Sequence, residues 1–469
     1  MLINSQFGSL RQYGEMTTLQ MGSRTWVVLN TKRVASEIIS KRGSLTHERP
    51  VMPVSSGLVS KGNRTVLRQT ADWTEGRRVM HQLLSGHVLK TYGDWQEQES
   101  VRLLIDYLRE PTTWYQHHYR YTSAVMYRIV FGETMQRSTA DLDIYQKVTV
   151  EFIESMQTNL IDFIPYLASL PRLLQPWRAR WERMGDAHHT VFRSWWDPIK
   201  AAIANDTAPP SFVRDILLDP ETKYTGSDEE AMYLATSIVS AGSDNTRMTM
   251  NTFVMAALTQ SSAFARARAE IDDLCGDTQR LPMLADMRSL PFVCGMVKEV
   301  LRWRPVVPFV PPHRLVQDLE FEGYTFPAGT DFIINNMAIG LECEAPNEFR
   351  PERWMADGMQ ETTLHEFWQF GGGRRVCVGY KLAQQELFIA MARLIYCFDF
   401  VEVCVPILIC SICRLTIFQA GLVNSKVLNH ASLEEPFPVK VSIRSEKHRQ
   451  LIIDAAKRAG ISDLPVKTM

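Results

Sequence analysis

The segment that carries most chemistry is FGGGRRVCVGY, from Phe370 to Tyr380. A glycine-rich loop that ends in a cysteine at a helix start leaves backbone N–H groups free to point at sulfur. Those donors and the positive end of the helix dipole favour a thiolate at Cys377. Such a thiolate could be a nucleophile or a metal ligand. A nucleophile wants a general base beside it, and this segment offers none. A buried structural cysteine next to a flexible loop is the plainer alternative.

Three further groupings stand apart from that loop. In KEVLRWRP, Glu299 and Arg302 lie one helical turn apart, on one face. If buried they must pair, and the guanidinium fork matches a carboxylate in bidentate fashion. In PERW, Arg353 offers Glu299 a second guanidinium. In DWTEGRRV, Trp73 and Arg77 at i and i+4 put an indole N–H and a guanidinium on one face, able to hold an anion. Taken singly, each grouping reads as an ordinary surface or core contact.

The elements that must position these residues are mostly helical. Ser227 with Glu230 three residues later forms a capping box, and Asp228 and Glu229 suit a helix start. No proline follows until well past Gln260, so the helix can run about 50 Å at 1.5 Å per residue. Its middle, Ala241 to Thr246, contains a glycine, which costs about 1 kcal/mol relative to alanine. The small residues there read either as a groove or as a close helix–helix contact. MTTLQMGSRTWVVLN alternates around the turn Met21-Gly22-Ser23-Arg24 and reads as a hairpin. Helical patterning holds from about Lys32 for most of the next 270 residues. Pro209-Pro210 and Pro311-Pro312 read as loops. Short strands return in LEFEGYTFPAGTDFII and in FPVKVSIRS, and a helix runs from the Cys377 loop to about Cys397. The fold class is mainly α with a small β-rich portion, one large body.

The 469 residues are 45% hydrophobic and 22% charged, a globular balance that excludes a disordered tail, a collagen-like chain and a polytopic membrane protein. Lys and Arg number 51 against 52 Asp and Glu, so no net field draws the chain to nucleic acid, which is not an expected partner. The 21 Met, 21 Phe and 11 Trp suffice for a large core and an apolar pocket lining. The 8 cysteines are too irregular for a disulfide framework and suit a reducing compartment. Cys410 and Cys413 form an isolated C-x-x-C with no second pair to complete a zinc site. The longest apolar stretch, Val403 to Cys413, is broken by Pro406 and closed by Arg414. A bilayer span needs about 20 apolar residues, so no transmembrane helix is expected. Polar sequence follows Met1, so neither a signal peptide nor an anchor is expected there.

Taken in order, the motifs resemble those of the cytochrome P450 family of haem-thiolate monooxygenases. The family's F-x-x-G-x-R-x-C-x-G loop is met by Phe370, Gly373, Arg375, Cys377 and Gly379. Its E-x-x-R pair is met by Glu299 and Arg302, and its later P-E-R by Pro351, Glu352 and Arg353. Its W-x-x-x-R motif is met by Trp73 and Arg77, its oxygen-binding helix by Ala241 to Thr246, and a further propionate contact by His313. The style of the chain is similar to fungal microsomal members of the O-methylsterigmatocystin oxidoreductase type.

The resemblance implies a cytochrome P450 fold in a single domain, 1–469, and haem b with Cys377 as axial iron ligand. It implies electrons from NADPH through a cytochrome P450 reductase and hydroxylation of a lipophilic small molecule, in fungal secondary metabolite biosynthesis. Trp73, Arg77, His313 and Arg375 would face the haem propionates. Glu299, Arg302 and Arg353 would be structural, and Asp244, with Asn245 and Thr246, would serve proton delivery. Val306, Val307 and Phe309 would reach substrate, with residues 47–66 and Phe163 to Leu170 completing the pocket. Arg374, Lys381, Arg77 and Arg78 would meet the reductase. A monomer at the cytoplasmic face of the endoplasmic reticulum membrane is expected, or in the cytoplasm if the chain has no anchor. The alternatives are a haem-thiolate enzyme of desaturation, coupling or rearrangement, or an inactive product of a faulty gene model.

Three departures from the family pattern stand out. Asn245 occupies the place where threonine usually follows the helix aspartate. The membrane anchor and proline-rich hinge of microsomal members are missing, which reads as truncation. AIGLECEAPNEFRPERW is shorter than the usual spacing, and VCVPILICSICRLTIFQ, residues 403–419, fits no family pattern. Val403-Cys404 can encode an intron donor, Leu415-Thr416 a branch site and Phe418-Gln419 an acceptor. That segment is expected to be an unspliced intron.

Overall fold

The alternation around Met21-Gly22-Ser23-Arg24 closes the expected hairpin, in which β1 (Met16–Met21) pairs antiparallel with β2 (Arg24–Leu29). Further strands are β3 (His313–Arg314), β4 (Leu319–Phe321), β5 (Tyr324–Phe326) and β6 (Asp331–Ile334). β6 runs parallel to β2 and antiparallel to β3, giving a four-stranded sheet of order β1-β2-β6-β3. Leu29, Phe332 and Ile334 bury one side of this sheet in a core of its own. The sheet therefore joins two stretches far apart in sequence, and most of the helical body is inserted between them. β4 and β5 form a separate hairpin. β7 (Phe398–Glu402) pairs antiparallel with β8 (Val439–Ile443). The structure, a computed structural model, describes residues 8–82, 86–132, 139–355, 364, 367–403 and 434–461. Residues 404–419, which make up nearly all of the suspected intron and include Cys410 and Cys413, lie outside the described residues.

The helical body contains α1 (Thr70–Gln82), α2 (Gly86–Arg109), α3 (Trp114–Phe131), α4 (Thr139–Thr158), α5 (Arg178–Ala204) and α6 (Asp228–Thr259). It continues with α7 (Ser261–Cys275), α8 (Pro291–Trp303), α9 (Tyr380–Cys397) and α10 (Glu446–Arg458). One large apolar cluster runs through them, and the fold is mainly helical with small sheets. α6 is the central element. It starts at the capping box, with Glu230 N–H donating to Ser227 Oγ at 3.2 Å and Ser227 N–H to the Glu230 carboxylate at 2.6 Å. It runs unbroken through the small residues in its middle and packs on α3, α5, α8 and α9. Buried on most of its circumference, it is mainly apolar or small, and its buried charges Asp244 and Arg247 pair with each other.

α8 carries Glu299 and Arg302, and its start is set from outside. Pro291 takes the first helical position, where no N–H is needed. The Glu270 carboxylate on α7 accepts from the N–H groups of Phe292 and Val293, both at 3.0 Å. Both proline pairs fall in irregular structure, as their composition requires.

Candidate functional site

Cys377 stands at the end of a folded loop, two residues before the glycine that caps α9. Its N–H donates to the Phe370 carbonyl at 2.8 Å, and Val376 N–H to the Gly373 carbonyl at 3.3 Å. Gly373 has φ of +60°, and a Cβ there would collide with the Ile39 carbonyl, so glycine is required twice over. Cys377 is the one exposed cysteine among those described. Even so, burial pushes its thiol up, while the Gly379 N–H and the charge of Arg77 pull it back toward thiolate. Both observations hold if the sulfur opens on a recess enclosed by protein instead of on bulk water.

Cations gather around that recess. Arg375 donates through Nε to the His47 carbonyl at 2.9 Å and through Nη2 to the Arg68 carbonyl at 3.0 Å and Thr70 Oγ1 at 3.2 Å. Its guanidinium lies 3.9 Å from the centre of the Trp73 ring, and Arg77 lies 5.4 Å from the same ring. Nη1 of Arg375 is buried with no partner among the described residues. His313 on β3 meets the Thr46 carbonyl through Nδ1 at 2.9 Å, and its Nε2 is likewise buried and unpartnered there. Burial, with Arg49 and Arg375 adding to it, pushes the His313 pKa well below its usual value. The ring is therefore neutral, Nδ1 donates and Nε2 is a bare acceptor. An anion placed beside it would favour the imidazolium and turn Nε2 into a donor.

Arg49 belongs to this group and was not singled out in the sequence. It is buried and donates to the carbonyls of Pro311 at 2.7 Å, Pro312 at 2.6 Å and Val66 at 3.0 Å. Burial and Arg375 push its pKa down to about 9, and Arg375 is pushed to about 10, so both stay charged at neutral pH. Two buried arginines, Arg49 and Arg375, with partly buried Arg77 beside them and with Arg375 Nη1 and His313 Nε2 unpartnered among the described residues, call for anionic groups. The two propionates of a haem held at Cys377 would satisfy that demand, and the residues fit the group.

Glu299 organises a second cluster. Its carboxylate accepts from Arg302 Nη2 at 2.7 Å and Nε at 2.9 Å, and from Arg353 Nε at 3.1 Å. Trp354 Nε1 at 2.9 Å and the Arg350 N–H at 2.8 Å complete its coordination. Arg302 reaches on to the carbonyls of Gly340, Pro346 and Glu348. Glu299 is fully buried at the centre of this cluster, which ties α8 to the chain from 340 to 354.

The middle of α6 divides its residues between two directions. Ala241 is exposed and Asn245, one turn on, is partly exposed, so these two face the open side. Asp244 and Thr246 are both buried. Asp244 accepts from Arg247 Nη2 at 2.6 Å. Of the three residues expected to act together in proton delivery, only Asn245 shares the accessible face. The reason is the 100° turn per residue, which points its neighbours into the core. Gly242 faces α3, where a Cβ would strike Met126, so at this position the close-contact reading holds.

Beyond α8, Val306 is buried, whereas Val307 and Phe309 are partly exposed. The Val307 carbonyl accepts from Asn336 Nδ2 at 2.8 Å, and Phe309 bridges Asn335. In the stretch Phe163 to Leu170, Leu167 and Ala168 pack on an apolar cluster with Val54 and Val59. Phe163 packs against Trp26 on β2 at 5.6 Å, and Tyr166 and Leu170 are exposed. Amphipathic loop residues of this kind carry no periodic signal that tells an inner face from an outer one.

The chain matches the family described as Cytochrome P450 over residues 3–406. It is similar to Cytochrome P450 monooxygenase fogE of Aspergillus ruber, 29% identical over 455 residues, covering 93% of this chain and 82% of that protein. It is also similar to Cytochrome P450 monooxygenase aneD of Aspergillus aculeatus, 28% identical, covering 96% of this chain and 85% of that one. A solved zebrafish cytochrome P450 with progesterone shares its fold with a TM-score of 0.71 and 25% identity, covering 87% of this chain and 94% of that structure. The chain belongs to the cytochrome P450 family of monooxygenases. Membership implies a haem-thiolate centre with iron, a small-molecule substrate and a redox partner. Among the described residues, no helix is long and apolar enough to cross a membrane.

Proposed function

We propose that the chain is a haem b monooxygenase that hydroxylates a lipophilic small molecule in fungal secondary metabolism, fed by NADPH through a cytochrome P450 reductase. The observation that carries this reading is Cys377, an accessible sulfur inside the fold, with Gly379 N–H and Arg77 favouring its thiolate. Arg375, Arg77, Trp73 and His313 would hold the propionates, with Arg49 behind them. When bound, the haem supplies dioxygen activation, helped by electron donation from the axial thiolate.

The chain's own residues do the rest. Ala241 and Asn245 line the open side of α6, where Asn245 can donate and accept hydrogen bonds but has no hydroxyl proton to pass on. Proton supply there falls to water held in the groove. The Glu299 cluster keeps α8 and the segment after it rigid. Arg374 and Lys381 are exposed near the Cys377 loop and suit an acidic reductase surface. Leu160, Tyr166, Leu173 and Leu174, close in sequence, are each exposed, Leu173 to 97%, which supports contact with the endoplasmic reticulum membrane. A monomer suffices for every one of these roles, and we propose residues 1–469 as one catalytic domain.

The test is the carbon monoxide difference spectrum of the reduced, expressed chain. A strongly red-shifted, thiolate-type Soret band is expected. An unshifted or absent band would overturn the reading.

A further inference from the structure

Arg64 lies in the segment before α1 and is 3% exposed. Its guanidinium sits 4.1 Å from the Phe152 ring of α4 and 5.1 Å from the Phe192 ring of α5. Tyr145 of α4 and Tyr233 of α6 complete the surroundings that act on its charge. Burial pushes it down to about 10, so it remains a cation at neutral pH. Aromatic faces stabilise such a cation but leave its in-plane donors unused. Nε and Nη2 of Arg64 are buried with no partner among the described residues, and so is the hydroxyl of Tyr233.

The carboxylates of the neighbouring elements are engaged elsewhere. Glu151 meets His188 at 2.9 Å, Asp186 meets Lys61 at 2.6 Å, Glu230 pairs with Arg68, and Glu229 accepts from Asn63 at 3.4 Å. Nε and Nη2 form one edge of the guanidinium, the same edge with which Arg302 grips Glu299 in this fold. In Arg64 that edge is buried and has no partner among the described residues. It fits a carboxylate in bidentate fashion.

We propose that Arg64 anchors the carboxylate of the substrate, so that this enzyme takes apolar carboxylic acids. The assignment rests on the monooxygenase reading above. Tyr145 links the box to the groove, because its hydroxyl bonds the Thr236 carbonyl and receives Ser240 Oγ at 3.0 Å, beside exposed Ala241. Tyr233 and Ala241 are two turns apart on α6, about 12 Å along its axis.

The test uses the full haem-loaded chain and two probes, 4-octylbenzoate and its methyl ester, with binding read by equilibrium dialysis. The wild type is expected to prefer the acid by about 30-fold, the range of a charge-assisted pair. Arg64→Gln should abolish the preference while ester binding stays, and Arg64→Lys should keep part of it. Equal binding of acid and ester, binding of neither, or a preference that survives Arg64→Gln would each overturn the proposal. Should Arg64→Gln not fold, the wild-type comparison and Arg64→Lys still decide. The carbon monoxide spectrum separates the two readings. A missing thiolate band sinks the haem reading on its own, and a normal band without acid preference sinks only the Arg64 assignment.

Discussion

Asn245 donates its side-chain amide to the carbonyl of Ala241, 3.0 Å away, across the accessible face of α6. That bond holds the amide over the groove; the amide keeps a second N–H but, unlike a hydroxyl, has no proton to relay. Asn245→Thr is expected to raise the rate of product formation about tenfold, less than the roughly 100-fold at which a full general acid or base begins, because water already relays protons there. Product per NADPH consumed is the measurement. If it and the product pattern both stay the same, Asn245 has no specialised role.

Glu299, itself fully buried, gathers two guanidinium groups, an indole N–H and a backbone N–H. Glu299→Ala leaves those cations buried and unpaired, at a cost of about 3–5 kcal/mol. Denaturant unfolding should show the lost stability, and the thiolate-type band should weaken with it. Glu299→Gln, which keeps shape and loses charge, should fall between. An unchanged midpoint in the alanine variant would remove the cluster from any structural account.

His118 is fully buried, with Nδ1 meeting Asn251 Oδ1 at 2.8 Å and Nε2 meeting Tyr107 Oη at 2.6 Å. Burial pushes its pKa down to about 3, so the ring is neutral, donates to Asn251 and accepts from Tyr107. The unfolded chain takes up this proton near pH 6.5 and the folded chain refuses it. Stability present above about pH 6.5 is therefore lost as pH falls toward 3, at roughly 1.4 kcal/mol per pH unit once well below 6.5. His118→Gln should lower stability at pH 7.5 yet flatten its slope between pH 6 and 4.5 by one proton. Urea midpoints across that range check this, and an unaltered slope would mean the ring titrates normally.

Glu402 pairs with Val439, so residues 403–438 close a loop on a fixed hairpin of β7 and β8. Roughly halving a loop of this kind changes its closure cost by only about 0.6 kcal/mol. A chain lacking residues 403–419 is therefore expected to fold and to bind at least as much haem as the full chain. Haem content per protein decides it, and a deletion variant that fails to fold would show that the segment belongs to the enzyme.

Much of the fold could be read before any coordinates because its signals are short-range. The capping box at Ser227 and Glu230, the hairpin at Met21 to Arg24 and the Glu299–Arg302 pair involve residues at most four apart. Their geometry follows from helix or strand periodicity alone. Cys377 was legible for the same reason, since its glycines, the following helix start and the sulfur lie within one turn of chain.

Other features depend on which faces meet. Arg49 is a single arginine in a loop, and only the approach of Pro311, Pro312 and Arg375 from distant stretches makes it part of the site. Asp244 and Thr246 carried the right residue types, yet the packing of α6 turned them inward and left Asn245 on the open side. Arg64 needs walls from α4, α5 and α6 before its unpartnered edge has meaning. The sequence by itself determined the elements, the thiolate loop and the family. The tertiary structure alone decided which side chains share a recess and which cations lack partners, because burial and pairing arise only when faces from separate elements are brought together.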